Sequence, residues 1–362
     1  MTEFLEPVGG SGEARRGAAE GEASGSKSPG ERERAAAAGA PPQIVLEVRK
    51  LTVEFSSEEG PVRAVDEASF QIQRGEIVGL VGESGAGKSL TSEAVLGLIR
   101  RPPGRVTGEV WFGGRDLLTL DEPALARIRG KGIAMIFQNP SASLNPVFRV
   151  GDQMLEAMAV HLTERRATLR ERVVENLARV GISSPRARAR DYPHQFSGGM
   201  AQRVMIGMGV SCVPSLLIAD EPTTALDVTI QAQVLALIRR LAHELGVAVL
   251  LVSHDLGIIS QMCHRVLVMY AGRVVEQASV AAIFRTPAHP YTRGLIECLP
   301  RLHGNGRLGA IAGTMPGLRA LPPGCRFHPR CPIAEPRCAV ETPALRPLAP
   351  GRAVACHLAG EP

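Results

Sequence analysis

The octapeptide Gly-Glu-Ser-Gly-Ala-Gly-Lys-Ser at positions 82 to 89 constrains this chain more than any other feature. The apolar run EIVGLV precedes it and LTSEAVLGLI follows it, so the expected context is strand, loop, helix. Glycines at 82, 85 and 87 let backbone amides close around phosphate oxygens without side-chain interference, and the start of the next helix favours negative charge. Lys88 is placed to reach the β- and γ-phosphates of a nucleotide, and Ser89 to offer a hydroxyl to Mg²⁺. The predicted cradle comprises Gly82, Ser84, Gly85, Ala86, Gly87, Lys88, Ser89 and Leu90.

A loop of this kind needs a sheet beneath it, and the sequence supplies one. IVLEVRKLTVEF reads as a first strand, and EIVGLVGE, GIAMIFQ, SLLIADE, VAVLLVSHD and RVLVMYAG are short apolar runs bounded by turn or polar residues. Helical patterns such as LRERVVENLARVG and TIQAQVLALIRRLAHELG alternate with them, which predicts an α/β sheet covered by helices. The stretch from about 139 to 195 lacks strong strand patterns and is expected to be an inserted helical subdomain. Residues 1–43 are rich in Gly, Ala, Ser, Glu and Arg, with Phe4 as the single aromatic, and are expected to be a disordered extension. From 286 to 362 the chain turns Pro-, Arg- and Cys-rich, loses its periodicity and holds too few apolar residues for a core of its own.

Composition excludes several classes. A net charge of +5 over 362 residues, with 4% aromatics, is unlike a nucleic-acid binder, so no nucleic-acid partner is expected. The longest apolar runs, such as LGVAVLLVS at 245–253, reach about half of the ~20 residues a membrane helix needs. No basic segment followed by an apolar core marks a secretory signal, so a cytoplasmic location is expected. In that reducing compartment the 7 cysteines point to metal or redox chemistry rather than disulfides.

The strand SLLIAD ends in Asp220 followed by Glu221. Beside a phosphate loop, one such carboxylate holds Mg²⁺ and a second orients and deprotonates the attacking water. Further elements surround this pair: SGGMAQR at 197–203, TALD at 224–227, VSHD with His254, and IFQNP with Gln138. Together with the phosphate loop, they resemble the signature motif, D-loop, switch histidine and Q-loop of ATP-binding cassette ATPases over residues 44–285. The resemblance implies a P-loop NTPase cassette, with a RecA-like core, an antiparallel β subdomain and the inserted helical subdomain, plus a small Cys-rich C-terminal extension. It also implies that two cassettes pair head to tail around ATP. The phosphate loop of one then meets Ser197, Gly198 and Gly199 of the other, a second anion cradle at a helix start. By the same resemblance Glu221 is the catalytic base, His254 contacts the γ-phosphate, and Gln138 contacts Mg²⁺ and the water. Ser89, Gln138 and Asp220 would hold Mg²⁺, and Phe55 would stack on adenine. One departure is Met200, where many cassettes carry Gln.

The tail narrows the resemblance. RTPAHPYTRGLIECLP at 285–300 and LPPGCRFHPRCPIAEPRC at 321–338 resemble the C-terminal extension of oligopeptide and dipeptide importer ATPases, and the likeness runs from about 44 to 358. This implies a subunit on the cytoplasmic face of a bacterial membrane that powers peptide uptake. Its partners would be a second, non-identical cassette, two membrane permeases and, indirectly, an extracytoplasmic binding protein. Import of nickel or another small solute is a subfamily variant. A soluble cassette acting on ribosomes or DNA is the rival from another class, but such chains carry two cassettes or long insertions, and this one has a single phosphate loop. Cys325, Cys331, Cys338 and Cys356 follow a C-x5-C-x6-C-x17-C pattern. Four cysteines commonly bind zinc, yet zinc sites favour shorter pairs and wider spacing suits a larger cluster. The resemblance favours a [4Fe–4S] cluster. Cys212, Cys263 and Cys298 are expected to be ordinary buried residues, and His303, His328 and His357 surface or structural ones.

Overall fold

The computed structural model describes residues 43–224, 226–299 and 309–360, so the extension expected to be disordered lies outside the described residues up to position 42. Strands β1 (Ile44–Phe55) and β2 (Val62–Gln73) form a hairpin, after which β3 (Ile77–Val81) leaves for a second sheet. Helix α1 (Lys88–Val95) follows, and β4 (Gly104–Phe112) with β5 (Arg115–Asp116) completes a four-stranded sheet in the order β2-β1-β4-β5. All of its pairings are antiparallel.

The second sheet carries the site. β6 (Ile133–Ile136) pairs in parallel with a strand far ahead in the sequence, because a helical segment intervenes. That segment holds α2 (Val150–Ala159) and α3 (Arg166–Arg179), and between residues 139 and 195 the described residues form only helices and turns. Met154, Leu155 and Met158 of α2 pack with Leu169, Val173 and Leu177 of α3. Helix α4 (Gly198–Val210) leads back to β7 (Leu216–Asp220), then come α5 (Val228–Leu245), β8 (Ala248–Ser253), α6 (Leu256–Met262) and β9 (Arg265–Tyr270). Every residue of β3, β7 and β8 is buried, as continuous apolar runs require when helices cover both faces of a parallel sheet. β3 lies between β8 and β9, so the loop that leaves it rises from the middle of the sheet. Gln138, Glu221 and His254 follow the C-terminal ends of β6, β7 and β8, the edge where open α/β sheets bind ligands.

The C-terminal segment joins the main sheet. β10 (Arg273–Ser279) runs antiparallel to β9, helix α7 (Pro290–Glu297) follows, and β11 (Arg346–Ala349) and β12 (Arg352–Val354) then extend the main sheet. The sheet therefore has eight strands in the order β11-β12-β10-β9-β3-β8-β7-β6. Lacking an apolar core of its own, the segment inserts Tyr291 and Phe327 into the core of the cassette, where their rings pack on Tyr270 at 4.6 and 5.2 Å between centroids. The antiparallel pairs and these aromatic contacts make the segment continuous with the domain it follows.

A buried carboxylate organises the connection. Glu276 on β10 is fully buried and accepts the backbone N–H groups of Ala288 and His289 at 2.9 and 2.8 Å, with Arg352 at 3.2 Å. His289 Nδ1 in turn accepts from the N–H of Tyr291 at 3.0 Å and caps α7. Burial pushes the His289 pKa down from 6.5 to about 3. A neutral ring is required in the fold, so the unfolded chain binds the extra proton between these values. The contribution of His289 is complete above pH 6.5 and is lost as pH falls toward about 3. The thermal unfolding midpoint is accordingly expected to drop on acidification below pH 6.5, and His289→Asn, which retains a capping acceptor without a titrating ring, is expected to flatten that drop.

Candidate functional site

The phosphate loop is built by exclusion of side chains. A Cβ on Gly82 would stand 2.1 Å from the carbonyl oxygen of Met269. Gly87 has φ of +101° and its Cβ would lie 2.7 Å from the Ala64 carbonyl oxygen, so neither position tolerates a larger residue. Gly87 is the N-cap of α1, which places Lys88 and Ser89 in the first turn. Ser84 and Gly85 are exposed on the rim, Ala86 is buried, and Ser89 and Leu90 are half-buried. Lys88 Nζ donates to the carbonyls of Gly82 at 2.8 Å and Glu83 at 3.0 Å. Burial lowers the Lys88 pKa against the opposing pull of Glu221, Asp220 and Glu83. Phe55 is half-buried at the end of β1, its ring 3.4 Å from the Cβ position of Gly104.

The two acids at the end of β7 are sorted by their surroundings. Asp220 is 5% exposed and its Oδ1 accepts from Ser89 Oγ at 3.1 Å. Burial raises its pKa, opposed by the Ser89 hydrogen bond and reinforced by the charge of Glu221. A hydroxyl and a buried carboxylate side by side are hard oxygen donors of the kind Mg²⁺ takes, and a cation there would offset the cost of burying the charge. Glu221 adopts φ of +45°, an uncommon backbone for a side-chain-bearing residue. The turn directs its carboxylate into a ring of donors: Gln138 Nε2 and Thr224 Oγ1 each lie 2.9 Å from Oε2, and His254 Nδ1 lies 3.1 Å from Oε1. Burial pushes the Glu221 pKa up, but the bonds from His254 and Thr224 and the charges of His254 and Lys88 bring it below its ordinary value. An ionised carboxylate held in this way is equipped to orient water and accept its proton.

Ser197, Gly198 and Gly199 form the outward-facing start of α4, with Ser197 Oγ accepting from the N–H of Met200 at 3.4 Å. Their neighbours come from the segment after the acid pair. The atoms nearest to Cβ positions at Gly198 and Gly199 belong to Leu226 at 3.8 Å and Ile230 at 2.6 Å. The structure thus brings Lys88, Ser89, Gln138, Asp220, Glu221 and His254 together, while Gly198 and Gly199 of the signature turn pack against Leu226 and Ile230.

Comparison with known proteins agrees with this geometry. A family model described as ABC transporter matches residues 65–224, and one described as oligopeptide/dipeptide transporter, C-terminal region, matches residues 275–338. The dipeptide transport ATP-binding protein DppD of Escherichia coli is 48% identical over 315 residues, covering 86% of this chain and 96% of that protein. The chain belongs to the oligopeptide/dipeptide transporter family of ATP-binding cassette proteins. The cassette is also 46% identical to the oligopeptide transport ATP-binding protein OppD of Salmonella typhimurium over 325 residues, covering 90% of this chain and 96% of the relative. Among solved structures, the ATP-binding cassette MJ0796 in a dimeric, post-hydrolysis state bound to ADP and Pi superimposes with a TM-score of 0.59 at 26% identity, over 65% of this chain and 99% of that one. The cassette is an ATPase of the transporter type, and no helix among its described residues is long and apolar enough to cross a membrane.

The tail of the cassette departs from the sequence reading. Among the described residues, no three His, Cys, Asp or Glu side chains stand together at metal-ligand spacing, and Cys325, Cys331, Cys338 and Cys356 do not form a ready ligand set. Zinc held by these four cysteines finds no support in that spacing. Burial pushes Cys325 up to about 11 and raises Cys331 and Cys356 as well. They are nonetheless close enough for Cys325 to feel the charges of Cys338, Cys356 and Cys331. His328 Nδ1 lies 2.9 Å from the Cys325 carbonyl and His357 Nε2 lies 2.9 Å from the Glu341 carbonyl, so both are engaged with backbone. His303 lies outside the described residues. Cys212, Cys263 and Cys298 are half-buried, and burial pushes Cys263 up to about 12.

Three residues at the site escaped the sequence reading: Thr224, which holds Glu221, and Tyr291 and Arg330, which hold Glu83. Thr224 lay inside a recognised motif, but the other two are more than 200 positions from their partner and carry no local signal. Thr224→Val removes one donor to Glu221 while keeping the side-chain shape. It is expected to lower kcat by about tenfold with ATP affinity unchanged, as measured by steady-state hydrolysis alongside nucleotide titration.

Proposed function

We propose that this chain is the ATP-hydrolysing subunit of an importer for dipeptides or oligopeptides, acting at the cytoplasmic face of the membrane on two permease partners. The observation that carries the reading is the paired match, a cassette at residues 65–224 and a peptide-transporter C-terminal region at 275–338 in one chain. Relatives named for dipeptide and oligopeptide transport align over nearly their whole length. The permease-facing surface in this proposal is the apolar groove beside the helical subdomain. Its cavity of about 290 Å³ is lined by Leu98, Phe137, Leu144, Met205 and Met208, next to the exposed Val147 and Phe148.

In the proposed reaction Glu221 is the general base, fixed by Gln138, Thr224 and His254, and His254 also faces the γ-phosphate. Lys88 and the loop amides bind the phosphates, Phe55 stacks on the base, and Ser89, Asp220 and Gln138 would hold Mg²⁺, which would supply neutralisation of the phosphate charge. Ser197, Gly198 and Gly199 would close on the γ-phosphate of a second, homologous cassette, an arrangement supported by their outward-facing position and by the dimeric state of the solved MJ0796 cassette. Glu221→Gln is expected to retain ATP binding and to lose turnover by about 10²–10⁴-fold. Retained hydrolysis in that variant would mean that another group activates the water. The transport reading is tested by affinity capture of the full chain from its own membranes followed by ATP-driven uptake of labelled dipeptide in vesicles. Copurifying permeases with uptake support it; captured ribosomes or DNA without permeases overturn it.

We further propose that Cys325, Cys331, Cys338 and Cys356 hold a [4Fe–4S] cluster. The support is that the four thiols lie within electrostatic reach of one another, and that the N–H groups of Phe327, Ile333, Leu358 and Ala359 point at sulfurs of Cys325, Cys331 and Cys356. Such N–H···S bonds stabilise cluster-bound thiolates, and the long spacing of the cysteines along the chain suits a cluster better than a single small ion. When bound, the cluster would cross-link loops that have no core of their own. Anaerobic purification is expected to yield about four irons and four labile sulfides per chain; zinc or no metal would refute the assignment and leave the ATPase reading intact.

A further inference from the structure

The phosphate loop carries an acid where it receives a triphosphate. Glu83 is the second residue of the loop, and an unpaired carboxylate beside an anion site opposes nucleotide binding by charge repulsion. The C-terminal extension supplies the partner. Arg330 Nη1 lies 3.0 and 3.2 Å from the two Glu83 carboxylate oxygens. The Arg330 side chain is 7% exposed and its direction is locked by its other contacts. It donates to the Ala312 and Gly313 carbonyls at 2.8 and 3.4 Å and to Tyr270 Oη at 3.3 Å, and its guanidinium lies over the Tyr270 and Phe327 rings.

The backbone of the same residue is held as well. The Glu83 N–H donates to Tyr291 Oη at 2.9 Å, and the Glu83 carbonyl accepts from Lys88 Nζ at 3.0 Å. Tyr291 is fully buried on α7, whose start is fixed by His289 and Glu276. A second arm reaches the far side of the loop. Arg326 donates to the Ala271 carbonyl, and the adjacent Gly272 N–H donates to the Ala86 carbonyl at 2.8 Å. Met315, also from the extension, lies 3.0 Å from the Cβ position of the rim residue Gly85.

We propose that Arg330 and Tyr291 are positioning residues for ATP: they neutralise and immobilise Glu83, so the C-terminal extension sets the nucleotide affinity of the phosphate loop. The inference rests on the reading of this loop as the ATP site. The pairing has an electrostatic consequence that mere docking of the extension would not have. Loss of Arg330 leaves a bare carboxylate at the cradle, and removing that charge should relieve the defect even though the pair stays broken.

The test is titration of the full-length chain with a non-hydrolysable ATP analogue, together with thermal unfolding in the absence of nucleotide. Arg330→Met is expected to weaken binding by about tenfold, and Arg330→Lys, which keeps the charge, by less. Adding Glu83→Gln to Arg330→Met is expected to recover most of the lost affinity. Tyr291→Phe, which deletes only the hydroxyl, is expected to weaken binding about threefold with little change in the nucleotide-free unfolding midpoint. Wild-type affinity in Arg330→Met, or a defect that Glu83→Gln fails to relieve while the unfolding midpoint falls, overturns the proposal and leaves Arg330 a docking residue. A wild-type chain that binds no analogue overturns the reading of the loop as the ATP site, and the proposal with it.

Discussion

Three parts of the cassette meet at one carboxylate. Asp66, on β2 of the antiparallel sheet, is 2% exposed and is bonded to Arg63 at 2.9 Å, to Arg273 of the main sheet at 2.6 Å and to Arg326 of the C-terminal segment at 2.5 Å. Burial pushes its pKa up, but hydrogen bonding from Arg273 and Arg63 and the charges of Arg326 and Arg273 bring it below its ordinary value, so the group is ionised in the fold. Burying such a charge is costly unless every lone pair is used, and breaking one bond of the set leaves the others uncompensated. The arrangement therefore acts as a register mark. The antiparallel sheet, β10 of the main sheet and the tail can share Asp66 in one relative placement.

From that placement the site follows. The parallel strands end at a common edge, and their connections deliver a lysine, a serine, a glutamine, two acids and a histidine to the same place. The unusual backbone of Glu221 is the cost of turning its carboxylate toward three donors rather than toward solvent. The signature turn, by contrast, is held by Leu226 and Ile230 and faces outward.

How much of this was written locally in the sequence depends on the range of each interaction. The phosphate loop was legible because only glycine fits at Gly82 and Gly87, and β3, β7 and β8 because burial on both faces demands unbroken apolar runs. β2 and β4 were not distinguished, since residues such as Arg63, Glu67, Arg105 and Glu109 break the apolar pattern on strands with a solvated face. β11 and β12 span four and three residues and acquire strand character only by pairing with β10. The tail cysteines were legible as a set, but their spacing in the fold was not, because it depends on how the tail packs against a core 40 or more residues earlier in the chain.

The same two short strands alter the outer surface of the main sheet. Without them β10 would be its last strand, with the unpaired amides and carbonyls of RVVEQAS open to any extended peptide. With β12 laid against it, the terminal position passes to β11, four residues that include Pro347, which has no amide to donate, and the exposed, charged Arg346. A subunit whose family handles peptides is thereby shielded, on this side, from taking up an extended chain as an extra strand.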